Sequence, residues 1–279
     1  MLSEIPSAGT VDHELEKRNQ VEERFHDEKT RQRGQPASRM DFYDAGVNEE
    51  HSRILFEVVG DLHGKRVLDF GCGPGQTSRD CASRGATRVD GFDISNENVL
   101  LARKNAARDG LDNRVFFRHM AAESIDYADG SFDVVIGKAI LHHTDLRRTS
   151  WQVHRVLRPG GTAYFLEPLA HNPFLNLFRL LTPWRRTPTE RPLLIEDLNL
   201  FCPYFDSIEC RGFYLLPILA NVLLLLTGRR SLYAKTMRVL FRWEKPLLMR
   251  FPFLQKYCWT ALLIFRKGPA GTKVVTTAS

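Results

Sequence analysis

The sequence is poor in the features that mark secreted, zinc-stapled or membrane-spanning chains. Its 279 residues hold five cysteines (Cys72, Cys81, Cys202, Cys210 and Cys258), with no CxxC pair and no regular spacing. A disulfide framework and a zinc site are therefore not expected, no other metal centre is indicated, and a reducing cytoplasm fits best. No stretch reaches the roughly 20 apolar residues that a spanning helix needs. The first twenty residues lack an apolar h-region, so no signal peptide is expected. Acids are nearly missing from one region. From Arg211 to Gly268 there are eleven Lys/Arg and a single acid, Glu244, a local balance of +10 in a chain whose formal net charge is +6. The basic residues there are interleaved with Leu and Phe. An anionic membrane surface suits that mixture better than nucleic acid, and no nucleic-acid partner is expected.

What is present is a rhythm of short apolar runs and helical stretches. Residues 1–47 are polar, with "HELEKRNQVEERFHDEKTRQRG" reading as a solvated helix or arm. "NEEHSRILFEVVGDL" has a helical period, with Asn48 as the expected N-cap. Strands are expected at 66–70, 88–92, 114–119, 132–137 and 162–167, separated mostly by helices such as the one capped by Ser95. That alternation predicts parallel βαβ units with ligands outside the carboxyl ends of the strands.

"RVLDFGCGPGQTSRD" (66–80) lies at such an end. A dinucleotide fingerprint would need glycine at position 76, where Gln76 stands, and a phosphate loop would need Lys-Ser/Thr, which does not follow. Asp69 beside the turn suits a cationic or hydroxyl-bearing ligand better than a pyrophosphate. Asp93 follows Gly73 by twenty residues, at the end of the second strand, where an acid can accept ribose hydroxyls. Two such acids point to an amino-acid-bearing nucleoside.

With "VLDFGCGPG" (67–75), "GFDIS" (91–95), "AAESIDYADGSFDVVIGKAILHHTD" (121–145) and "VLRPGGTAYFLEP" (156–168), the sequence resembles the class I S-adenosylmethionine-dependent methyltransferases. The resemblance covers roughly 60–170. It implies a Rossmann-like α/β fold with a seven-stranded, mostly parallel sheet, helices on both faces, and S-adenosylmethionine as cofactor. It also implies that Gly71 and Gly73 let the backbone approach that cofactor, with Asp69 near its amino-acid part and Asp93 on its ribose. Ala122 and Glu123 would contact adenine, although Ala121 stands where the family often has an acid. Lys138 matches a position whose backbone faces the methionine part. Tyr43, in "DFYDAG", is expected to fold over the cofactor.

Chemistry is expected beyond the fourth strand. His142 and His143 lie at its mouth, and a histidine there titrates in the useful range, so either is a candidate general base, with His143 favoured. Glu167 ends the fifth strand and is expected to point to the pocket mouth. Packing or capping roles remain the alternative for all three.

Strands six and seven are expected at 205–215 and 258–266, with about 40 residues between them, too many for a turn. "PILANVLLLLTG" would reach only about half the hydrocarbon thickness as a helix. "SLYAKTMRVLFRWEK" is amphipathic, with Glu244 out of place on its apolar side. The units expected are an arm or lid (1–47), a cofactor-binding core (48–213), an apolar-basic helical insertion (214–257) and a last strand with its tail (258–279). The insertion is read as a peripheral membrane contact, a cap on a lipophilic pocket, or a homodimer interface. The function expected is methyl transfer to O or C of a lipophilic small molecule (polyprenyl, terpenoid, quinone or lipid-linked). The alternative is a non-catalytic cofactor-binding scaffold that acts through its membrane- or partner-binding segment.

Overall fold

The apolar runs become the strands of one sheet. In the computed structural model, which describes residues 12–32 and 47–269, these are β1 (Arg66–Phe70), β2 (Arg88–Asp93), β3 (Val115–His119), β4 (Phe132–Lys138), β5 (Leu157–Pro168), β6 (Ser207–Phe213) and β7 (Thr260–Arg266). Their order across the sheet is β3-β2-β1-β4-β5-β7-β6. The first five pair in parallel, while β7 is antiparallel to both β5 and β6. Inner strands are buried along nearly their whole length, as sheets covered on both faces require. Two apolar cores result. One lies around Val67, Val89 and Ile264, the other around Phe70, Phe165 and Phe265.

Helices α1 (His13–Arg31), α2 (Val47–Val59), α3 (Gln76–Ser83), α4 (Asn96–Arg108) and α5 (Leu146–Val156) accompany the parallel strands. Local chemistry starts them. Ser95 accepts from the Asn98 N–H, and Asp145 accepts from the Arg147 and Arg148 N–H groups, so each satisfies donors that the first turn leaves free. The expected cap at Asn48 is not observed, because α2 already begins at Val47. The fifth strand is also longer than its apolar run, since it pairs with both β4 and β7.

The C-terminal part carries α6 (Pro173–Leu181), α7 (Ile218–Thr227) and α8 (Arg230–Arg250). Helix α7 stops at Gly228, whose φ of 66° is the left-handed cap glycine allows. Helix α8 runs on past Pro246, five residues beyond the expected stretch. Its misplaced acid now has a reason. Glu244 is buried and accepts from three successive backbone N–H groups, those of Tyr214, Leu215 and Leu216, at 2.7–2.9 Å. Tyr214 has a φ of 69°, unusual for a bulky residue, so the carboxylate holds a strained turn where β6 leaves the sheet. Burial pushes this carboxyl up and the three N–H groups pull it back down. Glu244→Leu should therefore destabilise the chain by about 3 kcal/mol, because one buried and two part-buried donors lose their acceptor at once. A urea midpoint unchanged from the parent would contradict this. No helix of the described residues is long and apolar enough to cross a membrane.

Candidate functional site

A cavity opens at the carboxyl ends of β1, β2 and β4. Its floor is the glycine turn. Gly71 has a φ of 73°, and a Cβ there would stand 2.7 Å from Ile140, so no larger residue fits without displacing the cavity wall. Above Gly73, at φ 50°, nothing lies within 4 Å of where a Cβ would be. That open space over a bare backbone is where a ligand can press close. The walls are Asp93, Ile94 and Asn98 from β2 and α4, Ala122 and Glu123 from the loop after β3, and Lys138 to Ile140 with His143 and Thr144 from β4 onward.

The acids are held firmly. Asp93 accepts from Gly73 N at 2.7 Å, from Ser95 N at 2.9 Å and from Asn98 Nδ2 at 3.2 Å, tying the glycine turn to the start of α4. Burial raises its carboxyl, and the Ser95, Asn98 and Gly73 donors partly offset this. Glu123 is raised by burial too, and accepts from Asp145 N at 2.8 Å. Asp69 stands behind the turn, off the cavity wall, with Ser78 Oγ donating to it at 2.5 Å. Burial pushes it up to about 7 against the pull of Ser78 and Lys138. A cation beside the turn would draw both Asp69 and Asp93 towards ionisation. Lys138 donates from Nζ to Ser52 Oγ at 2.9 Å, and burial lowers its ammonium. Of the expected cofactor residues, Gly71, Gly73, Asp93, Ala122, Glu123 and Lys138 meet at the cavity, Asp69 backs it, and Tyr43 lies outside the described residues. A sulfonium nucleoside fits this donor set: acids for an ammonium and a ribose, and open backbone between them.

The candidate catalytic trio is split. Glu167 does not reach the mouth. It is fully buried, its Oε1 accepting from Ile140 N and Leu141 N, both at 2.9 Å, and its Oε2 2.7 Å from His142 Nδ1. The reason lies in the backbone. Ala139 has a φ of 54°, and the loop that follows needs an acceptor for the N–H groups this bend turns inward. His142 is buried with Glu167 and is also off the wall, so these two shape the loop. His143 alone of the trio lines the cavity, and burial lowers its imidazole.

Sequence reasoning offered α1 as a solvated helix and as part of an arm or lid, and named none of its residues for the site. It lies across the cavity and contributes Asn19, Glu22, His26, Lys29 and Thr30 to its wall. It is fastened by polar contacts. Asp27 accepts from Ser95 Oγ at 2.6 Å, Thr30 Oγ1 donates to Asn98 at 2.6 Å, and Arg31 pairs with Glu97 at 3.0 Å. Glu22 is buried. Its Oε1 accepts from Thr187 Oγ1 at 2.8 Å and from Thr189 Oγ1, and its Oε2 stands 3.1 Å from His143 Nδ1. Burial works against its charge, but His143 and the two threonines hold it down at about 2. Burial lowers His26 to about 4. No apolar stripe on α1 announces this placement, and the only sequence signal is acid and histidine spaced one turn apart.

Residues 67–161 match the methyltransferase-domain family. Among curated proteins, the 27-O-demethylrifamycin SV methyltransferase of Amycolatopsis mediterranei is 37% identical over 121 residues, 42% of this chain and 44% of that protein. A sterol 24-C-methyltransferase of Gibberella zeae is 32% identical over 136 residues, 48% of this chain and 35% of that protein. The matched part thus spans less than half the length of either relative. Among solved structures, a phosphoethanolamine N-methyltransferase of Haemonchus contortus, with S-adenosylhomocysteine bound, superposes with a TM-score of 0.58 at 19% identity, covering 84% of this chain and 61% of that one.

Proposed function

We propose, for a chain built around a class I S-adenosylmethionine-dependent methyltransferase domain, that it transfers a methyl group to an oxygen or carbon of a lipophilic small molecule. The observation that carries this is the open backbone over Gly73 between Asp93 and Glu123, within a segment that matches the methyltransferase domain. Bound there, S-adenosylmethionine supplies a methyl on a positively charged sulfur. Asp93 would accept from the ribose hydroxyls, Ala122 and Glu123 would flank the adenine, and the backbone at Lys138 would meet the methionine part. Asp69 adds negative charge from behind the turn. Transfer of that methyl would leave the carbon–sulfur electron pair on sulfur and would require the acceptor to give up one proton. Holding the two atoms about 3–3.5 Å apart supplies much of the rate. His143, on the cavity wall, is the side chain we place against the acceptor. His142 and Glu167 support the loop that carries it.

Support for this acceptor class comes from the C-terminal helices and from the kinds of molecule named for the relatives, a rifamycin and a sterol. Leu219, Val222 and Leu226 form an exposed i, i+3, i+7 stripe on α7, and Phe174, Leu177 and Leu181 form another on α6. Basic residues of α8 such as Arg238 and Arg242 accompany them. Apolar stripes beside cationic side chains favour the boundary of an anionic bilayer, and we place the protein there as a peripheral visitor collecting its substrate.

The test is incubation with methyl-labelled S-adenosylmethionine and a total lipid extract in anionic vesicles, followed by mass spectrometry. Label in an apolar product is expected. Cofactor binding without transfer to any fraction would leave only a scaffold, and no binding in calorimetry would end the reading altogether.

A further inference from the structure

A cluster of ligating side chains stands at the meeting of α1 with the loop after β4. Glu22 Oε2 lies 3.1 Å from His143 Nδ1 and 3.7 Å from His26 Nε2. The His26 and His143 rings meet edge-on, with centroids 5.1 Å apart. Glu22 Oε2 and His143 Nδ1 are both buried and face each other as an ion pair, and neither has a further hydrogen-bond partner among the described residues. That one contact leaves a buried carboxylate oxygen and a buried imidazole nitrogen with capacity for a further partner.

The distances suit another arrangement. Ligand atoms held about 2.0–2.2 Å from one ion stand about 3.0 Å apart at right angles and about 3.4 Å apart at tetrahedral angles. One ligand atom from each of Glu22, His26 and His143 lies within 4.8 Å of the other two. We propose that Glu22, His26 and His143 form a divalent transition-metal site on the wall of the cavity, with its remaining positions open to an oxygen of the methyl acceptor.

Two imidazoles and one carboxylate select the metal class. Imidazole suits zinc, iron, cobalt and similar ions, whereas magnesium and calcium prefer all-oxygen sets. The carboxylate ligand is itself oriented. Thr187 and Thr189 both donate to Oε1, which leaves Oε2 for the ion, the outer-shell support that metal carboxylates carry. Glu190 lies close to His142 and His143 in a second such group, where it also pairs with Arg186 at 3.8 Å. Lys29, one turn from His26, and Arg186, paired with Glu190, are competing cations nearby; the Lys29 ammonium sits over the Phe25 ring at 5.9 Å from the centroid. All three ligands line the same cavity as Gly73 and Asp93, so the ion and the cofactor would share one chamber. The acceptors favoured are those with a hydroxyl, carboxylate or similar donor oxygen beside the methylated atom. That preference rests on the methyl-transfer reading above; the metal site does not.

The test is titration of the full chain, stripped with chelator, with Co²⁺, followed by visible absorption and by calorimetry. One Co²⁺ per chain is expected, with a ligand-field spectrum of mixed nitrogen and oxygen donors. His26→Ala should weaken binding by at least about tenfold. Thr189→Val, which touches only the orientation of Glu22, should weaken it by roughly tenfold. Circular dichroism verifies that each variant is folded. Substoichiometric binding, or an affinity unchanged in folded His26→Ala, overturns the site. S-adenosylmethionine binding to the stripped chain is measured separately. Co²⁺ bound without cofactor binding sinks the methyl-transfer reading alone, and cofactor bound without Co²⁺ sinks the metal site alone.

Discussion

Asp93→Ala is expected to lower the affinity for S-adenosylmethionine by at least about 100-fold, or roughly 2.7 kcal/mol. Two losses combine. The ribose hydroxyls lose their acceptor, and Gly73 N and Ser95 N, which this carboxylate holds at 2.7 and 2.9 Å, are released. The glycine turn is then no longer tied to α4, so the backbone that must approach the ligand loses its position. A charge-assisted bond is stronger than a neutral one, so Asp93→Asn should fall between parent and alanine variant. Calorimetry decides the matter, and an alanine variant within threefold of the parent would refute this role for Asp93.

Glu167→Ala should act through the fold first. The substitution removes an acceptor shared by Ile140 N, Leu141 N and His142, in a place where no water reaches the side chain. Breaking a buried charged network in this way costs about 3–5 kcal/mol. For a chain of this size that lowers the melting temperature by roughly 6–15 °C. Methyl transfer should fall with it even below the transition, because the loop carries Ile140 and His143 on the cavity wall. Glu167→Gln keeps an oxygen for the two N–H groups and should lose less. Differential scanning calorimetry reads both variants, and a drop under about 2 °C for alanine would show that the loop stands without Glu167.

The sheet and the glycine turn were legible because they obey local rules. "RVLDF" ahead of glycine, Ser95 before "NENV" and Asp145 before "LRRT" each name their conformation through sterics and capping. The meeting of Gly73 and Asp93 at one cavity was legible for the same reason, since both sit at fixed distances from strand ends. What escaped was set by contacts distant in sequence. Glu167 looked like a mouth residue because strand position alone does not say that the bend at Ala139 will turn backbone donors towards it. Glu244 looked like a flaw in an amphipathic helix until the strained turn at Tyr214 supplied its partners. Helix α1 looked solvated because its attachment is made of carboxylates, hydroxyls and guanidinium groups, and these carry no periodic apolar signature.

That last feature bears on how the chamber is reached. A cover glued down by grease would have to expose its adhesive on lifting, and the rest of the molecule would loosen with it. Here the fastenings are groups that water welcomes, such as Arg31 with Glu97 and Asp12 with Arg148. Peeling α1 back would trade these outer partners for solvent ones, so the buried Glu22 with Thr187, Thr189 and His143 is the latch that decides whether the doorway opens.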